Sequence, residues 1–234
     1  MEKGPALYNG LMNRNLFNNK VKVAISDLTD GNMRFFGGDE QQIIENQVKL
    51  CKTINSDEAA RIRTVYGERK VFTEYAEISK ENIDQYSIRN PENNIPTSDG
   101  LVTKDSQIGL LLPLADCLGI VVYDSEKEIV GLLHSGRQNL EQDGPKKFIE
   151  LLKTNYGCNP ANLQVYFSPY ALGYRITKLN DAGLAEAARA QLIDAGVLPE
   201  NILDPKTDTV TSSNLPSNSH GDKQLRFAIV VKKA

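Results

Sequence analysis

The chain has few residues of the types that metal centres and disulfide frameworks require. Its 234 residues include only two histidines and three cysteines. The three cysteines are far apart and contain no CxxC pair, which indicates free thiols in a reducing compartment rather than a disulfide-linked fold. No apolar stretch approaches the roughly 18 residues of a membrane span, and the start of the chain lacks an apolar core of signal-peptide length. We therefore expect a cytoplasmic protein without a membrane segment.

The sequence also lacks a basic surplus. It has 27 basic and 30 acidic residues, a net charge of −3, and the basic residues are interspersed with acids. A nucleic-acid binder needs excess basic charge to neutralise phosphates, so no nucleic-acid partner is expected. Hydrophobic residues make up 40% and charged residues 24%, as in ordinary globular proteins. We expect one large domain over residues 1–234.

Helical and strand-like patterns alternate along the chain. Strands are predicted at 21–25, 61–66, 70–75, 99–103, 108–114, 118–123, 129–133, 163–167 and 225–231. Helices are predicted at 39–51, 144–156 and about 180–195, and polar loops at 79–99 and 211–223. The strands at 61–66 and 70–75 are expected to flank a turn at Gly67. Because the regular rhythm of a doubly wound sheet is missing, we predict the α+β class, with helices packed against mixed β-sheets.

The runs 118–123 and 129–133 are separated by five polar residues, which predicts a hairpin. A turn centred between Ser125 and Glu126 places Cys117 directly opposite His134. Opposed residues in an antiparallel pair have Cβ atoms roughly 4.5–5.5 Å apart. A one-residue slip would put the two side chains on opposite faces. Asp116, the neighbour of Cys117, could orient a histidine or serve the turn, and strand alternation favours the turn.

A Cys117–His134 pair has three interpretations. The imidazole could increase the thiolate fraction of a nucleophilic cysteine. The two side chains could be zinc ligands, although catalytic zinc normally has three protein ligands. They could also be a buried cysteine beside a hydrogen-bonded core histidine. The second histidine, His220, lies in a polar loop and is either solvated or part of a site.

The segments around this pair are similar to a family signature. Residues 115–118 read ADCL and residues 130–136 read VGLLHSG, and they resemble the ADC and HAGWRG signatures of the polyphenol oxidoreductase (laccase) domain family. Further segments occur in the family's order, at 38–40 with 45–46, 99–103, 168–169 and 219–228. The resemblance extends from about Asn32 to Val231, nearly the whole chain.

The resemblance implies both a fold and a chemistry. The fold is a layered α/β structure with mixed β-sheets, similar to the catalytic domain of cytotoxic necrotizing factor toxins. The chemistry is phosphorolysis or deamination of purine nucleosides such as adenosine and inosine, with zinc held by a His–Cys–His set. A nucleoside and phosphate would be the small-molecule partners. Copper is not expected, because two histidines cannot supply a multicopper centre with its many imidazole ligands.

The resemblance also assigns individual residues. Cys117 and His134 match the cysteine and the second histidine of the zinc set, and they are the assigned catalytic pair. Tyr66 stands where the QVHG motif has the first histidine, and a phenol with a pKa of about 10 binds zinc poorly unless the metal drives its deprotonation. His220, in the closing segment, is the one other histidine that could substitute for this ligand.

Three residues are assigned to the substrate: Arg226, Arg137 and Asn32. A guanidinium pairs well with planar anions, so the arginines are expected phosphate contacts. Three functions stay open at this point. The first is a purine nucleoside-processing enzyme, the second a non-catalytic relative that binds a nucleoside or a partner, and the third a metal-free Cys–His hydrolase or deamidase.

Overall fold

The structure is a computed structural model that describes residues 12–35, 39–66 and 69–234. In chain order the strands are β1 (Met12–Leu16), β2 (Val21–Ile25), β3 (Glu58–Arg61), β4 (Tyr75–Ile78), β5 (Gly100–Thr103), β6 (Ile108–Leu114), β7 (Leu118–Asp124), β8 (Ile129–Ser135), β9 (Gln164–Phe167), β10 (Arg175–Ile176), β11 (Ala182–Gly183), β12 (Ile202–Leu203) and β13 (Phe227–Lys233). The α-helices are α1 (Glu40–Lys52), α2 (Ile83–Tyr86), α3 (Arg137–Leu140), α4 (Gly144–Tyr156) and α5 (Leu184–Asp194). None of the helices in these ranges is long and apolar enough to cross a membrane.

Two large sheets contain most of the strands. One has the spatial order β1-β2-β13-β6-β3 and the other β12-β9-β7-β8-β5-β4. Each sheet is mixed: β3 runs parallel to β6 in the first, and β4 parallel to β5 and β12 parallel to β9 in the second, while the other pairs are antiparallel. The predicted α+β class with mixed sheets is confirmed.

The two sheets pack face to face and are covered by helices on their outer sides. Side chains such as Leu112 and Ile229 of the first sheet meet Val121 and Leu132 of the second in a shared core. Helix α1 covers the outer face of the five-stranded sheet, and α4 and α5 cover that of the six-stranded sheet. Because both faces of each sheet are buried, strands such as β6 and β7 are nearly continuous apolar runs. The result is a four-layer arrangement of helix, sheet, sheet and helices.

Most predicted elements are present, but the strand pair predicted around Gly67 is wrong. Strands β2 and β6 have the predicted bounds, and Asp39 accepts a hydrogen bond from the Gln41 N–H as the predicted N-cap of α1. The strand pair expected at 61–66 and 70–75 does not form, because β3 ends at Arg61 in one sheet and the chain next enters a strand in the other. Strand β1 was not predicted. The turn at Gly67 and the family-like residue Gly38 lie outside the described residues.

The predicted hairpin forms, but its register differs by two residues. The ladder runs from Leu118 opposite Ser135 to Asp124 opposite Ile129, so His134 faces Gly119 and not Cys117. The cause is the Asp124 carboxylate, which accepts the N–H groups of residues 126 and 127 and so moves the turn centre toward the second strand. The direct pairing of Cys117 with His134 is therefore wrong. A shift of two residues keeps the side-chain faces, and both side chains remain on the same side of the sheet.

Candidate functional site

The chain passes from one sheet to the other at the three residues Ala115–Cys117. Strand β6 ends at Leu114 in the five-stranded sheet and β7 begins at Leu118 in the six-stranded sheet. Asp116 has φ of 72°, in the left-handed region, so the alternation of side chains is interrupted there. Asp116 and Cys117 consequently line the same pocket. Strand alternation therefore does not hold at this crossing, but the turn role that it favoured for Asp116 does, because the carboxylate accepts hydrogen bonds from Thr209 and Ser219.

The Asp116 carboxylate joins this crossing to the closing loop. One oxygen accepts the Thr209 hydroxyl at 2.8 Å, and the other accepts the Ser219 N–H at 2.8 Å and the Ser219 hydroxyl at 2.7 Å. Burial alone would raise the pKa of this carboxyl, but hydrogen bonds from Ser219, Ser217 and Thr209 outweigh it and hold the pKa below its usual value. The Asp116 carboxylate is therefore ionised and fully hydrogen-bonded, and in this state it fixes the position of its neighbour Cys117.

Asp116→Ala is expected to lower the free energy of unfolding by about 2–3 kcal/mol, because several donors lose a charged acceptor inside the protein. Urea unfolding at pH 7 measures the loss. Asp116→Asn keeps the shape and is expected to lose about half as much. The pKa of Asp116 is lower in the folded protein than in the unfolded one. The stabilisation by its carboxylate is therefore fully present above the unfolded pKa of about 3.9 and is lost as the pH falls through the folded pKa. A loss for Asp116→Ala that is unchanged at pH 3 would contradict this role.

Beside the crossing lies a pocket of about 310 Å³, at the lower end of the roughly 300–1,000 Å³ range of small-molecule sites. Cys117 and His134 meet in it. A Cβ built on Gly136 would lie 3.1 Å from the Cys117 Sγ and 3.4 Å from the His134 Nε2. Only a glycine at position 136 leaves the space in front of both atoms open.

Tyr66 completes this cluster. Its hydroxyl lies 3.2 Å from the His134 Nε2, and Tyr66 lines the pocket together with Cys117. The ring is 45% exposed, so the side chain lies at the surface while its hydroxyl end reaches the buried imidazole. The ring stacks on Phe72, with centroids 6.0 Å apart. Cys117, Tyr66 and His134 thus lie together in the pocket, and a hydrogen bond joins Tyr66 to His134.

The side chains of Cys117, Tyr66 and His134 are all neutral at pH 7. Burial, and then the charge of Asp116, raises the pKa of the Cys117 thiol to about 11. Burial, with the nearby charges of Arg34 and Arg69, lowers the pKa of His134 to about 4. Burial also raises the pKa of the Tyr66 phenol. These directions oppose a thiolate–imidazolium pair, which is the arrangement that a cysteine hydrolase uses.

Strand pairing fixes the position of His134. Its backbone N–H donates to the Asp99 carbonyl at 2.7 Å, and the Asp99 carboxylate binds the Arg69 guanidinium at 2.5 Å and 3.2 Å. The His134 side chain is 5% exposed. Its Nδ1 is buried and has no hydrogen-bond partner among the described residues. The imidazole is therefore held by its strand and by the Tyr66 hydroxyl.

Arginines form the other wall of the pocket. Arg34, Arg137 and Arg226 all line it, and burial together with the charge of Arg34 lowers the pKa of Arg226. Arg137 is exposed and lies 3.8 Å from Glu141. Among the described residues that line it, Asp116 is the only acidic one, and its oxygens already accept protein hydrogen bonds. The pocket is thus suited to an anion.

Asn32 does not line the pocket, but it holds two arginines that do. Its side-chain oxygen accepts the Arg34 N–H at 3.2 Å and the Arg226 N–H at 3.1 Å, and its amide nitrogen donates to the Arg34 carbonyl at 2.9 Å. These bonds join the segment after β2 to the start of β13. In this structure Asn32 acts on the pocket through the arginines and not by direct contact.

The described side chains do not fit a zinc ion. Within the described ranges, no group of three or more His, Cys, Asp and Glu side chains is placed to hold a metal. His220 is exposed and is not among the residues that line the pocket, so it does not join Cys117 and His134. The third neighbour of this pair is a neutral phenol, a poor donor for zinc, which takes thiolate, imidazole and carboxylate ligands.

Arg34 and Tyr174 are among the lining residues that sequence reasoning missed. Arg34 follows the turn at residues 30–32, where no periodic pattern indicates a site. Tyr174 lies between β9 and β10 and is 39% exposed; a lone tyrosine there gave no signal. The contact of Asn32 with Arg226 could not be predicted from spacing, because the two residues are 194 positions apart.

Comparisons with known proteins agree with this architecture. Residues 20–177 match the family described as multi-copper polyphenol oxidoreductase laccase. The chain is 32% identical over 85 residues to a purine nucleoside phosphorylase of Borreliella burgdorferi, covering 36% of this chain and 37% of that protein. It is 26% identical over 101 residues to purine nucleoside phosphorylase YlmD of Bacillus subtilis, covering 43% of this chain and 36% of that protein. The matched segments span little more than a third of these curated relatives.

Solved structures show the same fold over most of the chain. The hypothetical protein YfiH of Bacillus licheniformis superposes with a TM-score of 0.81 at 16% identity, covering 95% of this chain and 96% of that one. YlmD of Geobacillus stearothermophilus gives a TM-score of 0.81 at 17% identity, with 92% of each chain covered. At these identities the likeness concerns the fold alone.

Proposed function

The chain belongs to the multi-copper polyphenol oxidoreductase laccase family, and from that premise we propose that it is a purine nucleoside phosphorylase. The observation that carries the proposal is one pocket that combines three arginines with the neutral side chains of Cys117, Tyr66 and His134. The arginines are suited to phosphate, and the neutral side chains are suited to hydrogen bonding and proton transfer. Two relatives with local sequence similarity carry the name purine nucleoside phosphorylase.

The reaction has simple requirements. In the phosphorolysis of inosine the C1′–N9 bond breaks and its electron pair goes to the purine, while a phosphate oxygen forms a bond to C1′. The proton that hydrogenphosphate loses is taken up by a purine nitrogen, so no oxidant or reductant is needed. The protein must therefore bind an anion beside the sugar and allow one proton to move.

Residues of the pocket meet each requirement. Arg226 and Arg34 bind the phosphate and compensate its charge. The Tyr66 hydroxyl and the neutral His134 imidazole, 3.2 Å apart, pass the proton from phosphate to the leaving purine, because each can donate and accept in turn. Tyr174, exposed at the pocket, provides an aromatic face for the base.

The direct test is release of free base from inosine and adenosine by the purified chain, with and without phosphate. Phosphate-dependent release of hypoxanthine and adenine, with formation of ribose 1-phosphate, is the expected result. Conversion of adenosine to inosine without base release would indicate deamination instead. Absence of any turnover, with the nucleoside still bound in equilibrium dialysis, would indicate a binding protein and would overturn the proposal.

Arg226→Gln is expected to raise the KM for phosphate about 10- to 100-fold, because a charge-assisted hydrogen bond to an anion contributes roughly 1.5–3 kcal/mol. The Arg226 Nη1 donates to the carbonyls of residues 223 and 225, which fixes the side chain. Steady-state kinetics with varied phosphate measures the effect.

Arg175→Gln is the matched control for Arg226→Gln. The Arg175 guanidinium also donates to backbone carbonyls, those of residues 172 and 174, but Arg175 is not among the lining residues. Its KM for phosphate is expected to equal that of the wild type. Equal KM values for the two variants would remove Arg226 from the phosphate site.

A further inference from the structure

We infer that the Tyr66 hydroxyl takes the position of a third metal ligand beside Cys117 and His134 without supplying one that zinc binds well, so that this site operates without a bound metal. The inference rests on the proposed function for the role of the pocket, but its test does not depend on turnover. It follows from three separate features of the structure: the position of the hydroxyl, the way the ring is held, and the surroundings of the imidazole.

The hydroxyl stands in front of the atoms that would bind a metal. Zinc lies about 2.0–2.1 Å from an imidazole nitrogen and about 2.3 Å from a thiolate sulfur. The Tyr66 oxygen is 3.2 Å from the His134 Nε2, and two ligands of one tetrahedral zinc are roughly 3.3 Å apart. The hydroxyl therefore stands where a third ligand would stand, but it is a phenol, whereas zinc takes thiolate, imidazole and carboxylate ligands.

The surrounding structure holds the hydroxyl in this position. The Tyr66 ring stacks on Phe72, and the Arg69 guanidinium lies 5.1 Å from the Phe72 ring centroid. The Phe72 backbone is fixed at both polar groups, since its N–H donates to the Gln142 side chain at 3.1 Å and its carbonyl accepts from the Asn139 side chain at 2.6 Å. Tyr66 is therefore supported by residues that are tied to α3 and the segment after it.

The imidazole also lacks the support that metal-binding histidines have. A histidine that binds a metal through one nitrogen almost always donates the other N–H to a carboxylate, a carbonyl or water, and loss of that partner typically weakens metal binding about 10- to 100-fold. In the described part of the chain, the buried Nδ1 of His134 has no such partner. The Asp99 carboxylate, which directly precedes the neighbouring strand β5, is bound to Arg69 instead.

The test is the zinc content of the full chain after equilibration with zinc and removal of unbound metal by gel filtration. Wild type and Tyr66→Phe are expected to retain no stoichiometric zinc. Tyr66→His removes the hydroxyl and supplies a third ligand, so it is expected to retain about one zinc per chain. Tyr66→His combined with Cys117→Ala is the control and is expected to lose that zinc. Circular dichroism verifies that all four proteins are folded.

About one zinc per wild-type chain would overturn the inference, and so would a folded Tyr66→His protein that retains no more zinc than the wild type. Base release by the wild type in the presence of a chelator is measured in parallel and is expected to be unchanged. A chain that holds no zinc and releases no base would contradict the proposed phosphorolysis but not the metal-free site. The two ideas can thus fail separately.

Discussion

Replacing His134 with alanine is expected to lower kcat/KM for inosine phosphorolysis by about 10²–10⁴-fold, the range that a positioned proton carrier contributes. The His134 Nε2 is the atom that meets the Tyr66 hydroxyl. Because burial and nearby arginines keep the imidazole neutral, it can accept one proton and release another at pH 7. Alanine removes this step and leaves the arginines in place, so the KM for phosphate is expected to change little.

The chain contains a matched control for this substitution. His220 is the only other histidine; its side chain is exposed and does not line the pocket. His220→Ala is expected to have wild-type kinetics. Steady-state assays with both substrates varied distinguish the outcomes. A His134→Ala enzyme within threefold of wild type would contradict the proton-carrier role, and a loss of equal size in both variants would indicate a general effect on folding.

The elements built on long apolar runs could be predicted, because their pattern is set by burial on both faces. Strands β6, β7 and β8 are such runs, and α4 is marked by Pro145 and by Gly157 with φ of 68°. The register of the β7–β8 hairpin could not be predicted in the same way. It depends on the Asp124 carboxylate in the turn, and a five-residue polar segment allows more than one turn centre.

The site was predicted in part. Cys117 and His134 do lie in one pocket, but they meet because Asp116 adopts a left-handed conformation at the crossing between sheets, and not because they face each other in a ladder. The motif comparison located Tyr66, yet only the fold shows that its hydroxyl reaches the imidazole. Arg34 comes from a segment without periodicity, and tertiary contacts alone bring it to Arg226.

A second large effect is expected beneath the site, at Phe148 of α4. Phe148→Ala is expected to lower the free energy of unfolding by about 3–5 kcal/mol, as for other fully buried phenylalanines. The side chain is 0% exposed and packs on the six-stranded sheet where two strands carry glycine. A Cβ on Gly131 would lie 2.8 Å from its ring, and one on Gly100 would lie 3.2 Å from it. The ring also meets Tyr75 edge to face, with centroids 5.0 Å apart.

Urea unfolding followed by circular dichroism measures this loss, and Leu203→Ala, at a side chain that is 51% exposed, is the control expected to stay within about 0.5 kcal/mol of wild type. Gly131→Ala adds a test of the contact itself. In the wild-type background the added methyl group meets the Phe148 ring, whereas in the Phe148→Ala background the space is open. Gly131→Ala is therefore expected to lower the free energy of unfolding less in the Phe148→Ala background. Equal losses in both backgrounds would mean that the ring does not pack on Gly131. Because Gly131 and His134 share strand β8, and Gly100 follows Asp99, the packing of Phe148 also holds the strand ends that present the imidazole to the pocket.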